Sequence, residues 1–119
     1  LMCWYPILVL NGSTKPMIIY NVTSQIDPEI EKEWLRWMQE SHLPSVFECG
    51  AFEAINILKI QTDAIESLNY AIQFVASSKA ELQAYLDQYG DSDQAAEKKR
   101  FAGKVLRFDT QLEIIHSIS

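Results

Sequence analysis

His42 is the side chain of this 119-residue sequence best suited to chemistry near neutral pH. It stands just ahead of Pro44, with Trp34 and Trp37 on the preceding helical turns. An imidazole, with an unperturbed pKa of about 6.5, can serve as a general base there. A structural role also suits it, because a charged histidine at a helix C-terminus interacts with the unpaired carbonyls, a term worth up to about 2 kcal/mol. The expectation is the cap, with a folded pKa above the ordinary value. Trp34 and Trp37 can wall a pocket for an aromatic ligand, or they can simply be core. Tyr20 and Asn21 alternate on one strand and cannot face the same pocket. Asn21 is the candidate of the two, because a polar residue inside an apolar strand needs a partner. The candidate ligand-binding set is therefore Asn21, Trp34, Trp37 and His42, with His42 the candidate catalytic residue.

Other chemistry finds little footing. Cys49 has no lysine or arginine beside it in sequence to favour the thiolate, so it reads as an inert small residue. The histidines and cysteines (Cys3, His42, Cys49, His116) lack metal-ligand spacing, and no metal site or cofactor is expected. The four glycines are too far apart for a phosphate-binding loop. Ten Lys+Arg against sixteen Asp+Glu leave a net charge of −6, which argues against nucleic acid as a partner. The basic cluster of Lys98, Lys99, Arg100, Lys104 and Arg107 is expected to complement helix ends and nearby acids. Glu53, Asp109 and Glu113 place carboxylates on strands without fixing a pair at catalytic separation.

The elements that must position these residues follow from patterning. Residues 17–23 are rich in β-branched and aromatic side chains and predict a strand. Asp27-Pro28-Glu29 starts a helix, with Asp27 as cap and Pro28 at the first position. Ile30, Trp34, Trp37, Met38 and Ser41 form its apolar stripe, and Pro44 is expected to stop it near His42. Cys49-Gly50 is a turn into a second strand, 51–60, apolar enough on both sides to be covered on both faces. A connector, 61–67, leads to a third strand, 68–76, where Leu68, Tyr70, Ile72 and Phe74 share one side. Ser78-x-x-Glu81 is a capping box, Gly90 suits the end of that helix, and 91–101 add a short polar helix. In the last strand, 104–115, Leu106, Phe108, Leu112 and Ile114 are expected to face the core, and Arg107, Asp109, Gln111 and Glu113 to face away.

The order β-α-β, β-α-(α)-β predicts an α+β, ferredoxin-like domain: a four-stranded antiparallel sheet with helices on one face. Its other face, carrying Ile19, Val75 and Val105, is too apolar for a wetted surface, so a homodimer through that face is expected. Residues 1–16 differ sharply in composition from the rest. They are too short and too interrupted by Pro6 to span a bilayer, which takes about 20 residues, and no signal peptide is legible. Met17 is the expected start of the fold, with 1–16 a leader outside it and 17–119 a single domain; the rival is an added strand.

Three stretches carry a resemblance. M-I-I-Y-N-V-T from Met17, W-L-R-W-M-x-x-x-H-L-P-x-V from Trp34 to Val46 with Gly50-x-Phe52, and the closing stretch from Lys99 to Glu113 resemble an uncharacterised bacterial domain-of-unknown-function family with a ferredoxin-like fold, similar to the dimeric α+β barrel superfamily. The resemblance implies a small cytoplasmic protein and brings no activity with it. The superfamily also holds haem-degrading enzymes that use an asparagine on the first strand, matched by Asn21. Those enzymes also use a tryptophan and a histidine in the second half, where this chain has only His116, so that reading fails. Two functions follow from the sequence. The favoured one is a homodimeric ligand-binding or structural protein. The alternative is a cofactor-independent oxygenase or isomerase acting on a small aromatic or carbonyl compound, with His42 as base.

Overall fold

The computed structural model describes residues 17–62 and 68–119. The leader, 1–16, and most of the connector expected at 61–67 lie outside the described residues. Four strands, β1 (Ile18–Ile26), β2 (Phe52–Lys59), β3 (Leu68–Ala76) and β4 (Val105–Glu113), form one sheet in the order β2-β3-β1-β4. Every neighbouring pair is antiparallel. The helices cover one face, which makes the fold ferredoxin-like, as the order of elements predicts. The core lies between Ile18, Tyr20, Val22 and Ile26 on β1, Tyr70, Ile72, Phe74 and Ala76 on β3, and the apolar stripes of the helices.

The first helical run begins as expected. Asp27 accepts a hydrogen bond from the Glu29 backbone N–H at 2.9 Å, and Pro28 takes the first turn. The run does not stop at His42, however. It continues through α1 (Glu31–Trp37), a π turn (Met38–His42) and α2 (Leu43–Phe47). The reason lies in Pro44, which lacks an N–H and whose ring would strike the carbonyl four residues back in an α-helix. In the π turn the Leu43 N–H bonds the Met38 carbonyl, five residues back. That widened register delivers Pro44 to the first turn of α2, where a missing N–H costs no bond.

The second run has the same construction: α3 (Lys79–Tyr85), a second π turn (Leu86–Gly90) and α4 (Asp91–Phe101). Ser78 caps it by accepting from the Glu81 N–H at 3.1 Å, as the capping box predicts. Gly90 is not the helix end expected of it. Its φ of −54° is ordinary right-handed helix, and the chain passes through it into α4. The reversal comes at Ala102 and Gly103, with φ of 43° and 81°, which turn the chain into β4.

Two strand expectations are corrected. β2 is an edge strand with mostly half-buried or exposed side chains, and because the helices lie on one face of the sheet its two faces are not both covered. β4 has its sides reversed. Leu106, Phe108 and Leu112 lie on the open face and are 56, 59 and 45% exposed, while Arg107 turns toward the helices. Alternation sets the period of a strand but not which side goes inward. Here Arg107 pairs across the ladder with Ser24 on the buried side of β1, and Leu106 with Gln25 on the outward side. Val105, expected on the open face, instead packs against the core beside Ile26. Among the described residues no helix is long and apolar enough to cross a membrane.

Candidate functional site

The inward side of β4 brings Arg107 into a chain of charged and phenolic groups under the helices. Its guanidinium meets Asp109 at 3.1 Å, the Tyr20 hydroxyl at 3.2 Å and Glu97 of α4 at 3.7 Å. Glu97 is buried, and its second oxygen accepts the Trp34 indole N–H at 2.7 Å. Tyr20 donates to Asp109, and Tyr85 donates to Asp93. Burial, reinforced by the bond to Asp109, pushes the Tyr20 phenol up to about 12. Burial and the Asp93 carboxylate raise the Tyr85 phenol as well. Both tyrosines therefore stay neutral donors. Charges this deep persist only when paired and hydrogen-bonded, and these are.

Behind this network is a cavity of about 30 Å³, room for one or two water-sized groups. Its floor is the sheet: Tyr20, Val22, Ser24, Ile72, Phe74 and Arg107. Its roof comes from both π turns, Met38 and His42 from the first and Leu86 and Gly90 from the second, with Asp93 and Glu97 from α4 beyond. π turns are rare, and they recur where a helix must reposition side chains for function. Here both face one space. The Ser24 hydroxyl is fully buried and has no hydrogen-bond partner among the described residues.

His42 is where sequence and structure part most clearly. Helix continues past it, so it caps no free carbonyls. Its ring stacks on Trp37 with centroids 4.4 Å apart and planes 14° from parallel. Burial lowers its pKa; Asp93 and Glu97 oppose that shift, and Arg107 adds to it. The imidazole is thus neutral at pH 7, the reverse of the capping expectation.

The structure brings three of the four candidate residues together. Trp34 is fully buried beneath Glu97, and Trp37 backs His42. Asn21 is elsewhere. It lies on the open face, donating to Thr23 at 3.2 Å and accepting from Gln73 at 3.2 Å. Of the two, Tyr20, set aside in its favour, is the one that reaches the cavity. Patterning also missed Glu97, Asp93, Tyr85 and Ser24. The basic cluster disperses, with Lys104 on Glu29 at 2.7 Å and Arg100 near Glu33 at 3.6 Å. Among the described residues no three His, Cys, Asp or Glu side chains are grouped to hold a metal.

Larger hollows lie outside the cavity. One of about 490 Å³ runs between α4 and the edge of β4, and one of about 720 Å³ runs along β2 and the first helical run.

Residues 17–115 match a protein family described as a domain of unknown function (DUF4286). The chain belongs to that family. Its structure is similar to a dimeric ferredoxin-like protein from an uncultured marine organism, with a TM-score of 0.62 and 8% identity over 87% of this chain and 100% of the other. It is also similar to an ethyl tert-butyl ether d (EthD) family protein from Bacillus halodurans C-125, with a TM-score of 0.60 and 9% identity over 78% and 96%. At such identities the likeness is one of fold. No curated protein sequence matches the chain.

Proposed function

We propose that this DUF4286 protein is a cytoplasmic homodimer that binds a small molecule between its sheet and its helices. The observation that carries the binding role is Ser24. A fully buried hydroxyl left without a partner costs roughly 1–3 kcal/mol. Of the other polar groups of the cavity wall, Tyr20, Tyr85, Asp93, Glu97 and Arg107 are paired, and the half-buried one left over is the neutral His42 imidazole. A ligand oxygen seated there satisfies both. The dimer rests on the open sheet face, where Leu106, Phe108 and Leu112 are exposed beside Ile19 and Val75, and on the dimeric state of a protein with this fold. The cytoplasmic placement rests on sparse, isolated cysteines.

The test is a thermal-shift panel of small aromatic and carbonyl compounds on the full chain. A true ligand at a hundred times its Kd adds about 2.7 kcal/mol of stability, enough for several degrees in a domain this size. A panel with no stabiliser overturns the binding role and leaves a structural one.

A second reading is favoured by one specific observation, the lowered pKa of His42. A neutral, stacked imidazole facing two phenols and a guanidinium has the composition of a general base beside an oxyanion site. That supports a cofactor-independent oxygenase or isomerase. Turnover of a panel stabiliser that is lost in His42→Gln, with binding kept, is the outcome this reading requires.

A further inference from the structure

The cavity is too small for a whole ligand, but it does not stand alone. Gln94, Glu97 and Arg107 line both it and the 490 Å³ hollow between α4 and β4, forming their common wall. The outer hollow has the volume of an ordinary small-molecule site, and Phe101, Val105 and Leu106 make much of its lining apolar. We infer that the two spaces form one site for a small uncharged molecule, with an apolar body in the groove and a single hydroxyl or carbonyl oxygen passed inward to Ser24 and His42. This rests on the binding role proposed above and narrows it to a ligand class.

The class follows from charge and size. The inner space admits one or two water-sized groups, so a small oxygen group enters and a bulky head does not. Two carboxylates (Asp93 and Glu97) line it against one guanidinium, which already serves Glu97 and, outside the lining, Asp109. An anionic head would meet uncompensated negative charge. A cationic head meets the opposite difficulty, for which His42 is a built-in gauge. Burial disfavours its protonated form even with Asp93 and Glu97 opposing. An ammonium in the same place would suffer the same desolvation. A neutral oxygen avoids both penalties. It can accept from Ser24, which lies directly across the β1–β4 ladder from Arg107.

The test is an NMR titration of the uniformly ¹⁵N-labelled full chain with three isosteres: benzyl alcohol, benzylamine and benzoate. Saturable shifts at the Ala95, Leu106 and Arg107 amides are expected with benzyl alcohol, at least about tenfold tighter than with either charged probe. Ser24→Ala should keep the fold and weaken benzyl alcohol by about fivefold, the value of one hydrogen bond. Ala95→Trp, at an exposed position on the groove wall, should block the groove and abolish those shifts. Tighter binding by benzylamine or benzoate at the same amides overturns the ligand class while leaving the binding role intact. Shifts confined to the hollow along β2 overturn the site. No shift with any probe overturns the site and counts against the binding role itself.

Discussion

The two sides of β4 invert the usual assignment of polar and apolar residues. Facing the helices are Arg107 and its partner Asp109; facing away are Leu106, Phe108 and Leu112. Opposite sides of β3 behave conventionally, with Tyr70, Ile72 and Phe74 inward and Asn69, Ala71 and Gln73 outward. The difference lies in what each strand meets. β3 lies near the middle of the sheet under apolar helix stripes. β4 is an edge strand beside α4, whose inward residues include the buried Glu97. A guanidinium satisfies that carboxylate as no leucine can, so local pairing outranks hydrophobic burial on the inner side. On the outer side, three exposed apolar residues on one strand are what the proposed homodimer would cover.

The inner side of this comparison should break hardest at Trp34, which is fully buried and donates to Glu97. Trp34→Ala should lose about 3–5 kcal/mol in denaturant unfolding, from the cavity alone. Trp34→Phe keeps most of the volume but strands a Glu97 oxygen, and should lose about 1–3 kcal/mol. A Trp34→Phe variant as stable as the wild type would mean that the indole N–H contributes nothing. Arg107→Leu comes next. It leaves the buried Glu97 and the half-exposed Asp109 without their cation, and a loss of about 2 kcal/mol is expected once partial exposure is allowed for. A stabilised variant would show that the ion pairs never offset their desolvation.

The outer side should respond in a different observable. Light scattering at micromolar concentration should give about twice the 13.6 kDa chain mass. Phe108→Ser should return it to the single-chain mass while changing the stability of the dilute monomer by less than about 0.5 kcal/mol. A wild-type protein already at 13.6 kDa would remove the explanation offered for the apolar face.

The inversion also marks what the sequence could and could not convey. Local signals were legible: the Asp27 and Ser78 caps, the full extent of β3 and the order of elements. The family resemblance was legible too, in the tryptophan-histidine-proline block. What failed depended on distant partners. Trp34 and Glu97 are 63 residues apart, and Tyr20 and Asp109 are 89. No periodicity within a strand or helix reports such pairs, so Arg107 read as a solvated base and Tyr20 lost to Asn21. One signal was available and misread. Leu43 and Val46, three apart on either side of Pro44, keep the apolar spacing of a helix that continues, although Pro44 by itself reads as a stop.

The smallest expected effect decides the role of His42. Were it a helix cap, its folded pKa would lie above the ordinary 6.5, and stability would be lost as pH rose through the folded value. Burial instead lowers the folded pKa. The unfolded chain then binds a proton that the folded chain refuses, so the contribution of this residue is fully present above the unfolded pKa. It is lost as pH falls toward and through the folded value. His42→Gln cannot take up that proton. The wild type should therefore lose stability relative to His42→Gln as pH drops from 8 to 5, in denaturant melts of the two proteins under matched salt. The carboxylates of the network are common to both proteins and largely cancel in the difference. A direct NMR titration of His42 gives the same answer without unfolding. A folded pKa above 6.5 would restore the cap and remove the neutral base on which the catalytic reading depends.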